Sequence, residues 1–192
     1  MATTQVIPIK VGSIIRDGTI VVDARSSVTM IDCDDLLILV DTGQVGEEKI
    51  LTEALVEKGF SKSEINIVVN THLHLDHCGC NDLFKNAIFY ADKRENPPIH
   101  FRSTPDGAGL APGIRFMSTP GHTAGSISVV VEAGKKIHVI AGDAIPTYEN
   151  YEKMTPPAIN INQKLAIESM KRIIEHADFI IPGHGAMFAV NR

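Results

Sequence analysis

The chain reads as an α/β domain in which sheets and helices form layers, and three observations carry that expectation. Val- and Ile-rich strand patterns fill both ends of the sequence. Helical periodicity appears between and after them. Four apolar strands each run into a turn that holds Gly or Pro together with His or Asp.

In chain order, Val6 to Val11, Thr19 to Val22, Val28 to Cys33 and Leu36 to Val40 are the first strands. They are punctuated by Arg16-Asp17-Gly18 and Asp34-Asp35, which suit tight turns, so an antiparallel meander is expected. After Asp41-Thr42-Gly43 the period changes: Ile50, Leu51, Ala54 and Leu55 recur at helical spacing from Glu47 to Lys58, with Gly59 as a cap. The four strand-to-turn segments follow. Ile65 to Asn70 ends at Thr71-His72, and Ile114 to Met117 at Thr119-Pro120-Gly121-His122; Ile137 to Ile140 ends at Ala141-Gly142-Asp143, and Phe179 to Ile181 at Pro182-Gly183-His184-Gly185. Ligands of open α/β sheets gather outside the carboxyl ends of strands, so these turns are expected to converge on one edge. Asn160 to His176 reads as an amphipathic helix with Ala166, Met170, Ile173, Ile174 and Ala177 on one face. His100 to Pro112 and Ala144 to Pro157 lack periodicity and read as irregular loops, where substrate contacts usually lie.

With 192 residues the chain is expected to be one domain, residues 1–192, able to bury about 70% of its unfolded surface. A formal net charge of -5 supplies no electrostatic footprint for nucleic acid or an anionic membrane. Met1 to Gln5 lacks the basic and apolar parts of a secretory signal, and no apolar run nears the roughly 18 residues of a membrane span. A cytoplasmic location follows as an expectation. The odd count of three cysteines, Cys33, Cys78 and Cys80, fits a reducing compartment. The one-residue gap between Cys78 and Cys80 is not zinc-knuckle spacing, and they are read as buried thiols.

The densest chemistry lies in Thr71-His72-Leu73-His74-Leu75-Asp76-His77. A lone loop histidine ordinarily just hydrogen-bonds; three imidazoles and a carboxylate within one short segment form a ligand set for zinc and its first-row neighbours. His122, Asp143 and His184 gain weight from joint occurrence, each after a strand and a Gly. His100, His138 and His176 have no such support and are read as structural or solvated.

The ordered set His-x-His-x-Asp-His (His72, His74, Asp76, His77), Gly121-His122-Thr123, Gly142-Asp143 and Gly183-His184-Gly185 resembles the metallo-β-lactamase superfamily, as does the early Val40-Asp41-Thr42-Gly43 turn. The resemblance spans nearly the whole chain and implies a four-layer αββα sandwich with a two-metal site at one edge. It implies His72, His74 and His122 on one ion, Asp76, His77 and His184 on the other, Asp143 between them and Asp41 behind them. Two divalent ions about 3.5–4 Å apart lower the pKa of a shared water to about 7 and supply a bridging hydroxide, so no Ser or Cys nucleophile is needed. Asp76 beside that water is also a candidate to carry a proton to the leaving group. Zinc is the first choice, with iron or manganese as the other options.

Within the superfamily, an Asp at position 143 and no visible signal segment argue against the secreted β-lactamases. Glyoxalase II carries a helical region after its last histidine, whereas only Gly185 to Arg192 follow His184. The lactonase branch places a Tyr after the bridging Asp, which makes Tyr148 and Tyr151 catalytic candidates. The resulting expectation is a hydrolase of a small ester, thioester or lactone, with a homodimer as one arrangement that would wall its site. A mononuclear iron persulfide dioxygenase-type oxygenase, a metal-dependent phosphodiesterase or nuclease, and a metal-binding protein without turnover are the competing classes.

Overall fold

The computed structural model describes residues 4–18, 20–34 and 36–191. Met1, Ala2, Thr3, Thr19, Asp35 and Arg192, which enter several of the expectations above, lie outside them.

Two sheets face each other. The first runs β1 (Gln5–Lys10), β4 (Val28–Cys33), β5 (Leu36–Val40), β6 (Ile67–Val69) and β7 (Ile88–Tyr90) in spatial order. The second runs β13 (Phe188–Ala189), β12 (Phe179–Pro182), β11 (Lys136–Gly142), β10 (Ile127–Ala133), β9 (Ile114–Ser118) and β8 (Gly109–Ala111). Period-2 alternation divides each strand between two cores. From β5, Ile38 and Val40 turn inward to meet Val129 and Val131 of β10 between the sheets. Leu39 of the same strand turns outward, under Leu51 and Leu55 of α1 (Glu48–Glu57). On the far side, Val130 and Val139 lie under Met170 and Ile173 of α4 (Gln163–His176). The result is the αββα sandwich, and because both faces of each sheet are covered, the strands read as continuous apolar runs.

The opening strands depart from the expected meander. β1 pairs antiparallel with β4, while β2 (Ser13–Asp17) and β3 (Ile20–Arg25) form a separate two-stranded ribbon. Ile15, Ile20 and Val22 are exposed on that ribbon, so its alternation reflects no core. Arg16 and Asp17 belong to β2 rather than to the turn. Strands β7, β8, β10 and β13 were not anticipated. The region read as an irregular loop from Ala144 to Pro157 contains the short helix α3 (Tyr148–Lys153), and that from His100 to Pro112 contains β8.

Strand β10 has a consequence for the site. It runs antiparallel to both β9 and β11, and β11 is parallel to β12. β9, β11 and β12 therefore point the same way and end at the same edge. β5 and β6, likewise parallel, end at the facing edge of the first sheet. Ile127 of β10 donates its backbone N–H to the Thr71 carbonyl at 2.9 Å and joins the sheets there. Among the described residues no helix is long and apolar enough to cross a membrane.

Candidate metal centre

Each strand end contributes to one cleft. The turn after β6 carries His72 and His74 and leads into the one-turn helix α2 (Leu75–Cys78), which holds Asp76 and His77. His122 follows β9, Asp143 follows β11 and His184 follows β12. Two glycines make the approach possible. Gly142 has φ +52, and a Cβ there would overlap the Thr71 side chain; a Cβ on Gly183 would overlap Asp143 Oδ1.

His72 Nε2, His74 Nδ1 and His122 Nε2 form a triangle with sides of 3.1, 3.2 and 3.0 Å. Asp76, His77 and His184 form a second group, and Asp143 lies between the two. Its Oδ2 is 3.5 Å from His122 Nε2 and 3.4 Å from His184 Nε2, while its Oδ1 is 3.3 Å from His77 Nε2 and 3.2 Å from His184 Nε2. Asp76 Oδ2 is 3.6 Å from His184 Nε2 and 3.8 Å from His77 Nε2. All seven predicted ligands are thus brought together.

The outward ring nitrogens explain why the inward ones face the cleft. His77 Nδ1 donates to Asp41 Oδ2 at 2.7 Å, His122 Nδ1 to the Ile159 carbonyl at 2.7 Å and His184 Nδ1 to the Arg25 carbonyl at 2.9 Å. His72 Nδ1 lies 3.2 Å from the Thr71 hydroxyl, which itself donates to Asp41. An acceptor on the far nitrogen fixes the tautomer and leaves the near lone pair for a cation. Asp41 adopts φ 59, a left-handed conformation that Asp tolerates, and three hydrogen bonds to its carboxylate hold it there.

These residues fit a metal. His77 Nε2 and Asp143 Oδ1 are buried and have no hydrogen-bond partner among the described residues. A buried polar atom left unpartnered costs about 1–3 kcal/mol, a cost that a bound cation removes. Nitrogens about 3 Å apart suit metal–nitrogen bonds of about 2.0–2.1 Å.

The protons divide the two groups. Burial pushes the His72 pKa well below its ordinary value, and His77 nearby adds to this; burial and His122 lower His74 as well. Burial alone would also lower His77, but Asp41 and Asp143 outweigh it and hold that pKa well above the usual range. His184 is raised against its burial by Asp143. Asp143, despite burial, is held well below the carboxylate range by His77 and His184.

The cleft is walled on one side by Ile14, Arg16, Val21 and Ala24 of the β2–β3 ribbon, and on the other by Pro146, Pro157, Ala158 and Ile159. Tyr148 and Tyr151 are not brought to it. Helix α3 turns both rings onto Phe188, at 5.0 and 4.9 Å between centroids, and the Tyr151 hydroxyl accepts from the Asn191 N–H at 3.0 Å. The two cysteines stand apart from the ligand groups: Cys78 is half-buried and Cys80 buried, with burial pushing both thiols up to about 11. His138 stacks on Phe179, His100 packs edge-on against Phe101 and His176 donates to the Arg172 carbonyl.

Two supporting residues escaped the sequence reading. Glu95 accepts from the Leu73 N–H on one carboxylate oxygen, and from the Gly125 N–H and Thr123 hydroxyl on the other. It therefore joins the His72–His74 turn to the His122 turn. Buried Ser27 accepts from the Gly12 N–H and donates to the Gly185 carbonyl, tying the ribbon's base to the His184 turn. An isolated Glu or Ser carries no motif, so only the tertiary contacts reveal either role.

A family model for the metallo-beta-lactamase superfamily matches residues 21–101. A Methanocaldococcus jannaschii protein described as a probable metallo-hydrolase is 41% identical over 177 residues, covering 90% of this chain and 83% of its own. The human metallo-beta-lactamase domain-containing protein 1 is 33% identical over 81% of this chain, which spans 60% of the human protein. In fold, a Thermotoga maritima structure of metallo-beta-lactamase type matches with a TM-score of 0.78 at 20% identity, covering 97% of this chain and 99% of that one. The chain belongs to the metallo-beta-lactamase superfamily, and within it the archaeal relative and the His/Asp cleft mark a metallo-hydrolase.

Proposed function

We propose that this metallo-hydrolase cleaves small esters, thioesters or lactones with two divalent ions, zinc foremost. His72, His74 and His122 would hold one ion, Asp76, His77 and His184 the other, and Asp143 would serve both. The observation that carries this reading is the place of the Asp143 carboxylate between the groups, with Oδ2 within reach of both His122 and His184 and Oδ1, which makes no hydrogen bond among the described residues, facing His77 and His184. When bound, two such ions lower the pKa of a shared water to about 7 and polarise the substrate carbonyl.

The chain's own residues supply the rest. The acceptors behind His72, His77, His122 and His184 keep their inward nitrogens aimed into the cleft. Asp76, less buried than Asp143, faces the cleft and suits proton delivery to the leaving oxygen. The apolar walls suit an apolar part of the substrate beside the reacting carbonyl. Similarity supports the substrate class. A Bacillus N-acyl homoserine lactonase is 28% identical over 67% of this chain, which spans 58% of that enzyme. A lactone hydrolase with its product bound at the catalytic metal centre shares the fold, with a TM-score of 0.76 at 19% identity over 95% of this chain and 92% of that one.

The test is metal analysis of protein produced without added metal, with a panel of one ester, one thioester and one lactone assayed on the same sample. Two divalent ions per chain and turnover that a chelator abolishes and zinc restores are expected. One iron per chain, or no hydrolysis across the panel, removes the reading.

A further inference from the structure

We propose that Arg16 anchors an anionic group on the substrate, which narrows the class to esters, thioesters or lactones bearing a carboxylate or phosphate a few atoms from the scissile carbonyl. This rests on the hydrolase reading above. The cleft walls are otherwise apolar, and Arg16 is the one Lys or Arg among the residues that line them. Its guanidinium makes no hydrogen bond or ion pair within the described residues, whereas Arg25, Arg94 and Arg172 are each paired with a carboxylate. Glu149 on α3, on which Arg16 exerts a small electrostatic effect, is already bonded to Lys153.

The ribbon is built to present this cation. Ile14 pairs with Ala24 and Arg16 with Val21, and all four line the cleft. A regular ladder would put Val22, not Val21, on the face of Ala24. The register shift between Ile15 and Arg16 leaves Val22 as an extra residue and brings the Arg16–Val21 pair onto the cleft face. Bulges beside active sites commonly re-aim side chains in this way. A guanidinium matches a carboxylate or phosphate with two parallel hydrogen bonds, and one free of internal partners gives up none to bind it.

The experiment is titration calorimetry of the metal-loaded protein with succinate, glutarate and adipate, each against its one-carboxylate counterpart butyrate, pentanoate or hexanoate. One carboxylate can occupy the floor of the cleft in every case, so only the second reports on Arg16. At least one diacid is expected to bind about tenfold or more tighter than its counterpart. Arg16→Met, which keeps the apolar stem, should collapse that ratio to near one, and Arg16→Lys should retain part of it. Matched phosphono acids distinguish phosphate from carboxylate preference. Equal affinities in wild type, or a ratio that survives Arg16→Met, overturn the proposal. Its failure is separable from that of the hydrolase reading, because wild type that cleaves the panel without diacid preference refutes only the anchor. Diacid preference without any hydrolysis refutes only the reaction.

Discussion

The two ligand groups differ in a way their shared motif conceals. His72, His74 and His122 present three imidazoles, and His72 and His74 have pKa values pushed down by burial and by neighbouring imidazoles. Asp76, His77 and His184 sit among carboxylates: Asp41 behind His77, Asp143 in front of both histidines. In the first group, His72 and His74 are ready as neutral nitrogen at neutral pH. In the second, the carboxylates raise the pKa of His77 and His184, so a metal there competes with protons to a higher pH. One segment, Thr71 to His77, supplies both kinds of position, and Asp143 is the side chain that belongs to each.

Removing the shared member should therefore have the largest effect. Asp143→Ala takes a candidate ligand from both groups and removes the carboxylate that faces both His77 and His184 across the cleft. Loss of residues behind a metal's ligands costs about 10–100-fold in affinity or activity, so loss of this ligand should exceed 100-fold in kcat/KM. Circular dichroism should show the fold retained. Activity within tenfold of wild type would contradict the shared role.

Asp41→Asn acts on one group more than the other. Asp41 accepts directly from His77 at 2.7 Å but reaches His72 only through the Thr71 hydroxyl. The expected result is a loss of about 10–100-fold in affinity for the second ion, with the first held more nearly as in wild type. Metal titration followed by mass spectrometry of the native protein separates the two. Equal loss of both ions would show that Asp41 does not discriminate between the groups.

The histidine protons predict an order of release with pH. A raised pKa keeps His77 and His184 protonated to higher pH, so metal affinity at their group should fall as pH drops, by about tenfold per pH unit for each proton displaced. His72 and His74 lie below the ordinary value of 6.5 and are already neutral at pH 7, so their group should keep its ion further into acid. Dialysis at stepped pH with metal counting should pass through a one-ion plateau. Simultaneous loss of both ions would erase the distinction between the two groups.

How much of this was readable in the sequence follows from where each residue gets its meaning. The candidate ligands stand in short motifs directly after apolar strands, and parallel strand ends bring such motifs to one edge, so the clustering of the candidate site was legible. The sandwich was legible too, through the motif resemblance more than through the strands. β7, β8 and β13 are two or three residues long, too short for a period to register. β10 was hidden by its own motif, since Ile127 to Val131 continue directly from the His122 turn. The β2–β3 ribbon looked like part of the first sheet because its Val and Ile residues alternate as core strands do, although several are exposed. Glu95 and Ser27 act through backbone groups distant in sequence, which composition cannot show.

The tyrosines give the smallest and sharpest contrast with the ligand groups. Both follow Asp143 closely in sequence, but only the ligands are steered by strand ends; helix α3 intervenes and turns the rings toward Phe188. Tyr151→Phe removes just the hydroxyl that accepts from Asn191 and keeps the ring against Phe188. A lost hydrogen bond at this partly exposed position should cost about 0.5–1.5 kcal/mol in urea unfolding. It should leave kcat/KM within twofold, because no part of the ring lines the cleft. A fall in kcat at unchanged KM would instead mean that α3 swings toward the metals during turnover, and the tyrosine would then rejoin the residues that act on substrate.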